Sequence, residues 1–168
     1  MVHPDYQYDP KLLPEIMEPI LAGKADVVLG SRMMGLSAYK QGMPWWKSLA
    51  NEVLTHLENW VFKLSLSEYH TGYRAYHRSS LEMVNFRSNS DNFIFDQEII
   101  AQFVEARLRI LEVPVPVRYF PEASSTNFIQ SVKYGMGILM LLLKYSVHKH
   151  GIWPNPQFEV IQQRYRKA

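Results

Sequence analysis

A short apolar segment, Ala25-Asp26-Val27-Val28-Leu29-Gly30, constrains the fold more than any other feature of the chain. Its β-branched residues favour a strand, and a nearly continuous apolar run is typical of a strand buried in a parallel sheet. We therefore predict an α/β fold with a sheet flanked by helices. Gly30-Ser31-Arg32 comes just past the end of this strand, and ligands bind at that end of the strands in open α/β sheets.

Two helices are predicted on either side of this strand. The first begins near Asp9, which suits an N-cap, and ends at Gly23. Pro14 and Pro19 predict a kink in it or a division into two short pieces. The second spans residues 45–64 and is amphipathic. Its apolar residues follow helical spacing: Leu49, Val53, Leu57, Trp60, Val61 and Leu64. Its charged residues lie away from that stripe: Glu52, Glu58 and Lys63.

The sequence pattern of the second half of the chain predicts two more helices and a strand. Residues 67–76 form a polar, aromatic loop, and a helix follows over residues 96–107. The alternating segment 108–119 carries Pro114 and Pro116 on one side, which indicates an edge strand or a loosely paired one. The last helix, residues 127–150, contains an apolar run too short to span a bilayer. It either buries against the domain or a second copy, or lies along a membrane surface with its basic residues near phosphates.

Composition narrows the class of protein. Of 168 residues, 47% are hydrophobic and 20% are charged, which is typical of a globular domain. A formal net charge of +2 excludes a dedicated nucleic-acid binder. Cysteine is absent, which excludes disulfide scaffolds, thiolate metal sites and cysteine nucleophiles and fits a reducing, cytoplasmic compartment. Met1–Pro10 is polar and lacks a signal-peptide core, so we expect a soluble protein or one peripheral at the cytoplasmic face of a membrane.

His3, Asp5 and Gln7 alternate just before the first predicted helix. In an extended backbone the three side chains share one face. An imidazole, a carboxylate and an amide carbonyl suit Mg²⁺ or Mn²⁺ when the cation keeps waters or takes phosphate oxygens as further ligands. The alternative is a polar turn in which Asp5 and His3 only cap the structure that follows.

Three cations lie near the predicted strand end and the loop after it. Arg32 suits a phosphate because a guanidinium binds it bidentately, whereas Lys40 and Lys47 act as point charges. Solvated surface cations are the alternative.

The segment from Glu68 to Arg74 has the highest density of polar functional groups in the chain. It holds a carboxylate, an imidazole, a hydroxyl (Thr71), a glycine (Gly72) and a guanidinium, and loops concentrate function in this way. The alternative is a tight turn in which Gly72 supplies a positive φ. Glu98 lies at the start of a predicted helix, where the positive end of the helix dipole by itself explains a carboxylate. The second interpretation is that Glu98 acts as a general base.

Taken together, these motifs resemble family 2 glycosyltransferases, in the subgroup that transfers a sugar from a nucleotide-sugar to a polyprenyl or dolichyl phosphate. The family's Asp-x-Asp-x-Gln metal motif falls on His3 to Gln7, with His3 in place of the first Asp. Its Gly-Ser-Arg falls on Gly30-Ser31-Arg32, and its lipid-phosphate-binding basic residue falls on Lys47. The remaining matches follow in order along the chain: Asn51, Glu68 to Tyr73, Arg74, Glu98, Glu112-Val113-Pro114, Arg118, Ser124 and Ser125.

The resemblance implies a fold, a reaction and a cofactor. The fold is a partial GT-A fold with a truncated mixed sheet, in which residues 1–125 form the acceptor-side part and residues 126–168 a C-terminal helix and tail. The reaction is an inverting, metal-assisted transfer with Mg²⁺ or Mn²⁺. A nucleotide-diphosphate sugar is the donor and a polyprenyl or dolichyl phosphate the acceptor. Trp45 and Trp46 beside Lys47 suit a lipid–water boundary.

The resemblance also assigns roles to residues. Asp5, Gln7 and His3 hold the metal that neutralises the leaving diphosphate. The catalytic residues are Asp5, Glu68 and Glu98. The two glutamates orient groups instead of abstracting a proton, because the phosphate oxygen that attacks is already anionic. The substrate-binding residues are Arg32, Lys47, Asn51, Thr71, Gly72, Arg74, Arg118 and Ser124.

The family's nucleotide-binding half precedes the metal motif and has no counterpart in this sequence. We therefore expect a carboxyl-terminal portion of such an enzyme that exposes a sheet edge and apolar faces and is unstable or associates when isolated. One alternative is a non-catalytic remnant or interaction module that keeps the acceptor side. Another is a metal-dependent hydrolase built on His3, Asp5 and His70, which requires the two histidines to lie close together.

Overall fold

The computed structural model describes residues 1, 7–34, 43–117 and 128–161. The chain divides into two compact units. The first unit comprises Met1–Tyr76 with Arg109–Ser125, and the second His77–Leu108 with Thr126–Ala168. The expected division into residues 1–125 and 126–168 stays a prediction.

The first unit contains a small mixed sheet. Its strands are β1 (Val27–Ser31), β2 (Arg74–Tyr76) and β3 (Ile110–Pro114), in the order β2-β1-β3. β1 is parallel to β3 and antiparallel to β2, and all five residues of β1 are buried. The predicted α/β class, the buried central strand and the edge position of β3 are confirmed. The prediction of a loop over residues 67–76 is wrong at its end, because Arg74–Tyr76 pairs with β1.

Two helices accompany this sheet. A 3-10 turn over Pro10–Leu12 leads into α1 (Leu13–Leu21), and the Asp9 carboxylate caps the turn by accepting from the Lys11 backbone N–H at 2.9 Å. Gly23 follows α1 with a φ of 68°, a left-handed conformation that favours glycine. α2 spans Trp45–Phe62. Both predicted helices are confirmed.

The orientation of α2 is the reverse of an ordinary amphipathic helix. Its buried residues are mostly polar: Ser48, Asn51, Thr55, Glu58 and Phe62. Its apolar stripe faces outward instead, with Leu49 and Val53 about half exposed and Trp60 71% exposed. Glu58, which the spacing places away from the apolar residues, is completely buried. Polar partners in the rest of the first unit explain this inversion, as described below.

The core of the first unit lies between α1 and the sheet. Its buried members are Tyr8, Ile16, Ala25, Val28, Tyr73, Val115 and Val117. The rings of Tyr8 and Tyr73 stack with 5.2 Å between centroids. Gly30 sits so close to its neighbours that a Cβ there would lie 3.0 Å from Val115 and 3.1 Å from the Tyr73 carbonyl oxygen. The end of β1 is therefore packed tightly against the segment around Tyr73.

The second unit is helical, with α3 (Arg78–Glu82), α4 (Phe95–Glu105) and α5 (Phe128–Lys149). The predicted helices over 96–107 and 127–150 are confirmed. Gly137 allows α5 to approach α4, because a Cβ there would lie 2.7 Å from the Ile94 side chain. One face of α5 is buried: Ile138, Leu141, Leu142 and Tyr145. Its other face is exposed: Ile129, Val132, Met136, Leu139, Met140 and Leu143. In the described part of the chain, none of the helices is apolar over a length that would cross a membrane.

Candidate functional site

Arg32 and Glu68 form the centre of a polar site in the first unit. Arg32 follows β1, and its backbone N–H and its Nε donate to the Glu68 carboxylate at 2.7 and 2.8 Å. Its Nη2 donates to the same carboxylate and, at 2.9 Å, to the carbonyl of His70. Glu68 is completely buried and the Arg32 side chain is 12% exposed. The guanidinium donates twice to one carboxylate oxygen, Oε1, and the Arg32 backbone N–H donates to the other, Oε2. Residues from the strand end and the 67–76 segment are thus joined by a charge-assisted contact.

A chain of polar contacts runs from this ion pair into α2. Asn51 Nδ2 donates to Glu68 Oε1 at 3.0 Å, and Asn51 Oδ1 contacts His70 Nδ1. His70 Nε2 lies 3.0 Å from Glu58 Oε2. Both ring nitrogens of His70 thus lie against side chains of the first unit. The hydrolase alternative also needs His3 and Asp5, which lie outside the described residues, and it stays a prediction.

Glu112 on β3 fixes the loop that carries Glu68. Its carboxylate accepts from the backbone N–H of Ser67 at 2.6 Å, from Ser67 Oγ at 2.9 Å and from the backbone N–H of Glu68 at 2.9 Å. Ser67 Oγ also lies 2.6 Å from Ser31 Oγ at the end of β1. Burial raises the pKa of Glu112 and the charge of Glu68 raises it further, while the hydrogen bonds from Ser67 and Glu68 lower it, and the raising effects prevail.

Lys47 adds a second cation near Arg32. It lies in the first turn of α2 with its side chain half-buried. Burial lowers its pKa, and the positive charge of Arg32 lowers it further. An anion bound beside Lys47 would offset the second effect.

Thr71 and Arg74 are buried in the scaffold of the 67–76 segment. Thr71 Oγ1 lies 3.3 Å from the Tyr8 hydroxyl and accepts from the Tyr73 backbone N–H at 3.2 Å. Arg74 is 2% exposed, and its guanidinium donates to the carbonyls of Thr71 at 2.6 Å and Tyr69 at 2.9 Å. These contacts hold the backbone of the segment, and substrate binding by either residue stays a prediction.

Gly72 lies in the same segment and is partly exposed. The glycines with a left-handed φ in the described residues are Gly23 and Gly151. A positive φ therefore does not explain the glycine at position 72, and its substrate-binding role stays a prediction.

Glu98 belongs to the second unit, in the first turn of α4. It is 8% exposed, and its Oε2 accepts from the backbone N–H of Ser90 at 2.7 Å and from Ser90 Oγ at 2.9 Å. It lines a mostly apolar cavity of about 400 Å³ together with Ile94, Met140 and Trp153, among others. Its catalytic role stays a prediction.

The proposed metal ligands are mostly outside the described residues. Gln7 is described and partly exposed, whereas His3 and Asp5 lie outside the described residues. Two of the predicted substrate-binding residues, Arg118 and Ser124, also lie outside them. Within the described ranges, no three His, Cys, Asp or Glu side chains are grouped so that they could hold a metal ion.

Glu58 and Glu112 are the members of this network that the sequence interpretation missed. The polar residues Ser48, Asn51, Thr55 and Glu58 recur every three or four positions, which places them on one face of α2. That spacing is a signal that could have indicated a buried polar face. Glu112 is part of the Glu-Val-Pro motif, but nothing local indicates that its carboxylate binds the backbone of residues 67 and 68.

The burial and partners of Glu68 predict an acid-sensitive contribution to stability. Burial by itself raises the pKa of Glu68, but the charge of Arg32 and hydrogen bonds from Arg32 and Asn51 outweigh it and leave the pKa below its ordinary value. The stabilisation is therefore present above the unfolded pKa of about 4.3 and is lost as the pH falls through the folded pKa. We expect the free energy of unfolding to fall more steeply below about pH 4 in the wild type than in Glu68→Gln.

Denaturant unfolding across acidic pH measures this difference. Glu18→Gln is the matched control, because the Glu18 side chain is 64% exposed and pairs loosely with Lys24 at 3.7 Å. Curves that stay parallel for the wild type and Glu68→Gln would contradict the prediction.

Comparison with known proteins shows what the chain resembles. It is 28% identical over 124 residues to the low-salt glycan biosynthesis hexosyltransferase Agl6 of Haloferax volcanii. It is 24% identical over 139 residues to a UDP-N-acetylglucosamine–dolichyl-phosphate N-acetylglucosaminyltransferase of Methanococcus voltae. The chain is similar to glycosyltransferases. The expected resemblance is thereby confirmed at the level of glycosyltransferases that build glycans.

An uncharacterized protein of Methanocaldococcus jannaschii is 25% identical over 138 residues. The alignment with the Haloferax protein covers 73% of this chain and 29% of that relative. The alignment with the Methanocaldococcus protein covers 81% and 56%, and that with the Methanococcus protein covers 82% and 55%. The chain thus spans about half or less of the length of the relatives it matches. No family model matches the chain, and no solved structure does.

Proposed function

We propose that the protein is a family 2 glycosyltransferase that transfers a sugar, with inversion, from a nucleotide-diphosphate sugar to a polyprenyl or dolichyl phosphate. One observation carries the proposal: Arg32, Asn51 and Glu68 are hydrogen-bonded in one site, with Lys47 near Arg32. These are the residues that the resemblance assigns to the acceptor side. The similarity to a hexosyltransferase and to a dolichyl-phosphate transferase supports the same reaction class.

The acceptor phosphate would bind at Lys47 and Arg32. Lys47 supplies a half-buried ammonium, and burial strengthens its attraction to an anion. Arg32 is held in place by Glu68 and the His70 carbonyl, so its position costs no rearrangement when the phosphate arrives. Holding the phosphate in line with the anomeric carbon is catalysis by proximity.

The reaction requires no strong general base. A phosphate oxygen is already anionic near neutral pH, so it can attack without losing a proton. The Glu68 carboxylate accepts hydrogen bonds from Arg32 and Asn51, which keep it ionised and occupied. We therefore assign Glu68 to orienting Arg32 and Asn51.

The donor set of His3, Asp5 and Gln7 suits a divalent cation by its chemistry. Asp5 and Gln7 offer the oxygen ligands that Mg²⁺ prefers, and an imidazole in place of an anionic oxygen shifts the preference toward Mn²⁺. When bound, the cation would supply electrostatic stabilisation of the leaving diphosphate.

The proposal extends to the fold and the setting of the protein. It includes a GT-A arrangement around the mixed sheet and a position at the cytoplasmic face of a membrane. α5 supports a membrane contact, because it contains lysines and a histidine but no acidic residue and exposes one apolar face. An oligomer built on this face of α5 is the other outcome.

The test is transfer by the full-length gene product, with a panel of nucleotide-diphosphate sugars and dolichyl phosphate. Lys47→Ala is expected to raise the KM for the lipid phosphate by about tenfold or more with little change in the KM for the donor, because one charged contact is lost. Lys24→Ala is the control, because the Lys24 side chain is 66% exposed and pairs loosely with Glu18 at 3.7 Å. Equal effects on both KM values would contradict the acceptor role of Lys47.

Asp5→Ala tests the metal proposal in the same assay. Undiminished transfer with added Mn²⁺ would rule out a metal role for Asp5. Calorimetry tests the non-catalytic alternative, since a remnant without a donor site would release no heat with any nucleotide-diphosphate sugar.

A further inference from the structure

Asn51 lies in the middle of a chain of polar contacts that ends at a buried carboxylate. Its Nδ2 donates to Glu68 Oε1 at 3.0 Å, and its Oδ1 contacts His70 Nδ1. On the far side of the imidazole ring, His70 Nε2 lies 3.0 Å from Glu58 Oε2. The contacts therefore connect a buried glutamate of α2 with the carboxylate that holds Arg32.

The charge of Glu68 fixes the orientation of the Asn51 amide. Burial raises the pKa of Glu68, but the charge of Arg32 and hydrogen bonds from Arg32 and Asn51 leave it below its ordinary value, so the carboxyl group is ionised. A carboxylate only accepts hydrogen bonds, so the amide must present its NH2 group to Glu68 and its oxygen to His70. The Thr55 hydroxyl, which donates to Asn51 Oδ1 at 3.4 Å, agrees with this orientation.

The orientation of the amide determines which ring nitrogens of His70 carry protons. Nδ1 faces the Asn51 oxygen, which is an acceptor, so Nδ1 must be a donor. Nε2 faces a carboxylate oxygen of Glu58 at 3.0 Å, and two lone pairs at that distance would repel each other. A proton therefore lies between them. An imidazole is a stronger base than a carboxylate, so this proton belongs to Nε2.

The burial of Glu58 indicates the same protonation. Glu58 is completely buried, and the His70 side chain is 9% exposed. Among the described residues, no other group makes a hydrogen bond to the Glu58 carboxylate. A buried carboxylate without a counter-charge is strongly unfavourable, and an imidazolium at His70 supplies that charge.

The charges around the pair agree with a cation at His70. Arg32 Nη2 donates to the His70 carbonyl at 2.9 Å, and its charge opposes a second cation there. The carboxylates of Glu58 and Glu68 favour one, because they lie on the two sides of the imidazole and of Asn51. Burial raises the pKa of Tyr69 and the charge of Glu58 raises it further, so the Tyr69 hydroxyl stays neutral. One guanidinium and one imidazolium thus balance two carboxylates.

We propose that Glu58 and His70 are a positioning pair for the acceptor site. Glu58 holds a proton on each ring nitrogen of His70, and His70 thereby keeps the Asn51 amide turned toward Glu68. This role rests on the proposed function, because the group that the contacts finally hold is Arg32, which we assign to the acceptor phosphate. Without the Nδ1 proton, the amide would lose a contact that orients it, and Glu68 would lose alignment with Arg32.

Nitrogen NMR spectra of the imidazole ring test the protonation directly. The full chain is measured near neutral pH without donor or acceptor, and the ring signals of His70 are assigned through its backbone resonances. Both nitrogens are expected to be protonated in the wild type. In Glu58→Gln the new amide can donate to Nε2, so Nδ1 is expected to keep its proton while Nε2 loses its own.

Transfer kinetics of the full-length gene product test the positioning role. Glu58→Met is expected to raise the KM for the lipid phosphate about tenfold, as for one lost hydrogen bond to a charged group, without changing the KM for the donor. A merely structural role would reduce the amount of active enzyme and leave both KM values unchanged. Glu58→Gln is expected to keep the acceptor KM within about threefold of the wild type, because Nδ1 stays protonated.

Glu52→Met is the matched control, because it makes the same replacement at an exposed glutamate of α2. An unprotonated Nδ1 in the wild type would overturn the inference, and so would an Nε2 that stays protonated in Glu58→Gln. An unchanged acceptor KM in folded Glu58→Met would do the same. If Glu58→Met does not fold, the spectra of the wild type and Glu58→Gln decide.

The spectra and the kinetics separate this inference from the proposed function. Absent transfer by the wild type with both His70 nitrogens protonated counts against the proposed function and leaves the protonation of the pair standing. Transfer by the wild type with an unprotonated Nδ1 counts against the positioning pair alone.

Discussion

His70→Ala is expected to lower the free energy of unfolding by about 3–5 kcal/mol, the cost of leaving a buried charge without its partner. Glu58 is completely buried, and His70 Nε2 lies 3.0 Å from its carboxylate. Alanine at position 70 would leave this carboxylate in the interior without the imidazole that lies beside it. It would also remove the contact between the ring and Asn51 Oδ1.

Denaturant unfolding near neutral pH measures this loss. Arg78→Ala is the matched control, because the Arg78–Glu82 pair is exposed and such pairs contribute about 0.2–1 kcal/mol. Adding Glu58→Met to His70→Ala is expected to restore part of the stability, since an apolar side chain of similar size needs no partner. A loss below about 1 kcal/mol for His70→Ala, or no recovery in the double variant, would contradict this account of the pair.

Arg32→Lys is expected to lower kcat/KM for sugar transfer by about 100-fold or more, as for the loss of a preorganised donor. Lysine keeps the charge but replaces the planar guanidinium. Arg32 uses Nε and Nη2 to contact Glu68 and the His70 carbonyl at the same time, and a single ammonium cannot reproduce that geometry. The site would keep its charge and lose the fixed position of that charge.

Initial-rate kinetics of the full-length gene product measure this effect, and circular dichroism confirms that the variant folds. Arg78→Lys is the control, since Arg78 is largely exposed and lies in the second unit. Activity within about threefold of the wild type would show that the charge of Arg32 is sufficient without the fixed geometry of its guanidinium.

The elements were predictable because local patterns specify them. A β-branched run predicted β1, helical spacing predicted α1, α2, α4 and α5, and the two prolines predicted that β3 is an edge strand. β2 was not predictable in the same way. Three residues carry too little periodicity to indicate a strand, and Arg74–Tyr76 becomes one only because β1 lies beside it.

The candidate site was predictable in part. Arg32 and Glu68 were singled out as residue types that bind phosphate or orient groups, and the structure joins them directly. The resemblance added Asn51, which contacts Glu68. Glu58 and Glu112 were missed as partners, because their roles depend on His70 and on the backbone of residues 67–68, which are distant along the chain.

The amino-acid sequence alone determined where the helices and the main strand form, because hydrophobic spacing, β-branching, glycines and prolines act within a few residues. Only the tertiary structure decided which face of α2 points inward. A hydrophobic stripe favours burial, but the face with Asn51 and Glu58 is buried here because Glu68 and His70 supply its partners. Since a buried carboxylate is stable only when it is paired, that choice depends on residues far apart in the chain and leaves the apolar face of the helix exposed.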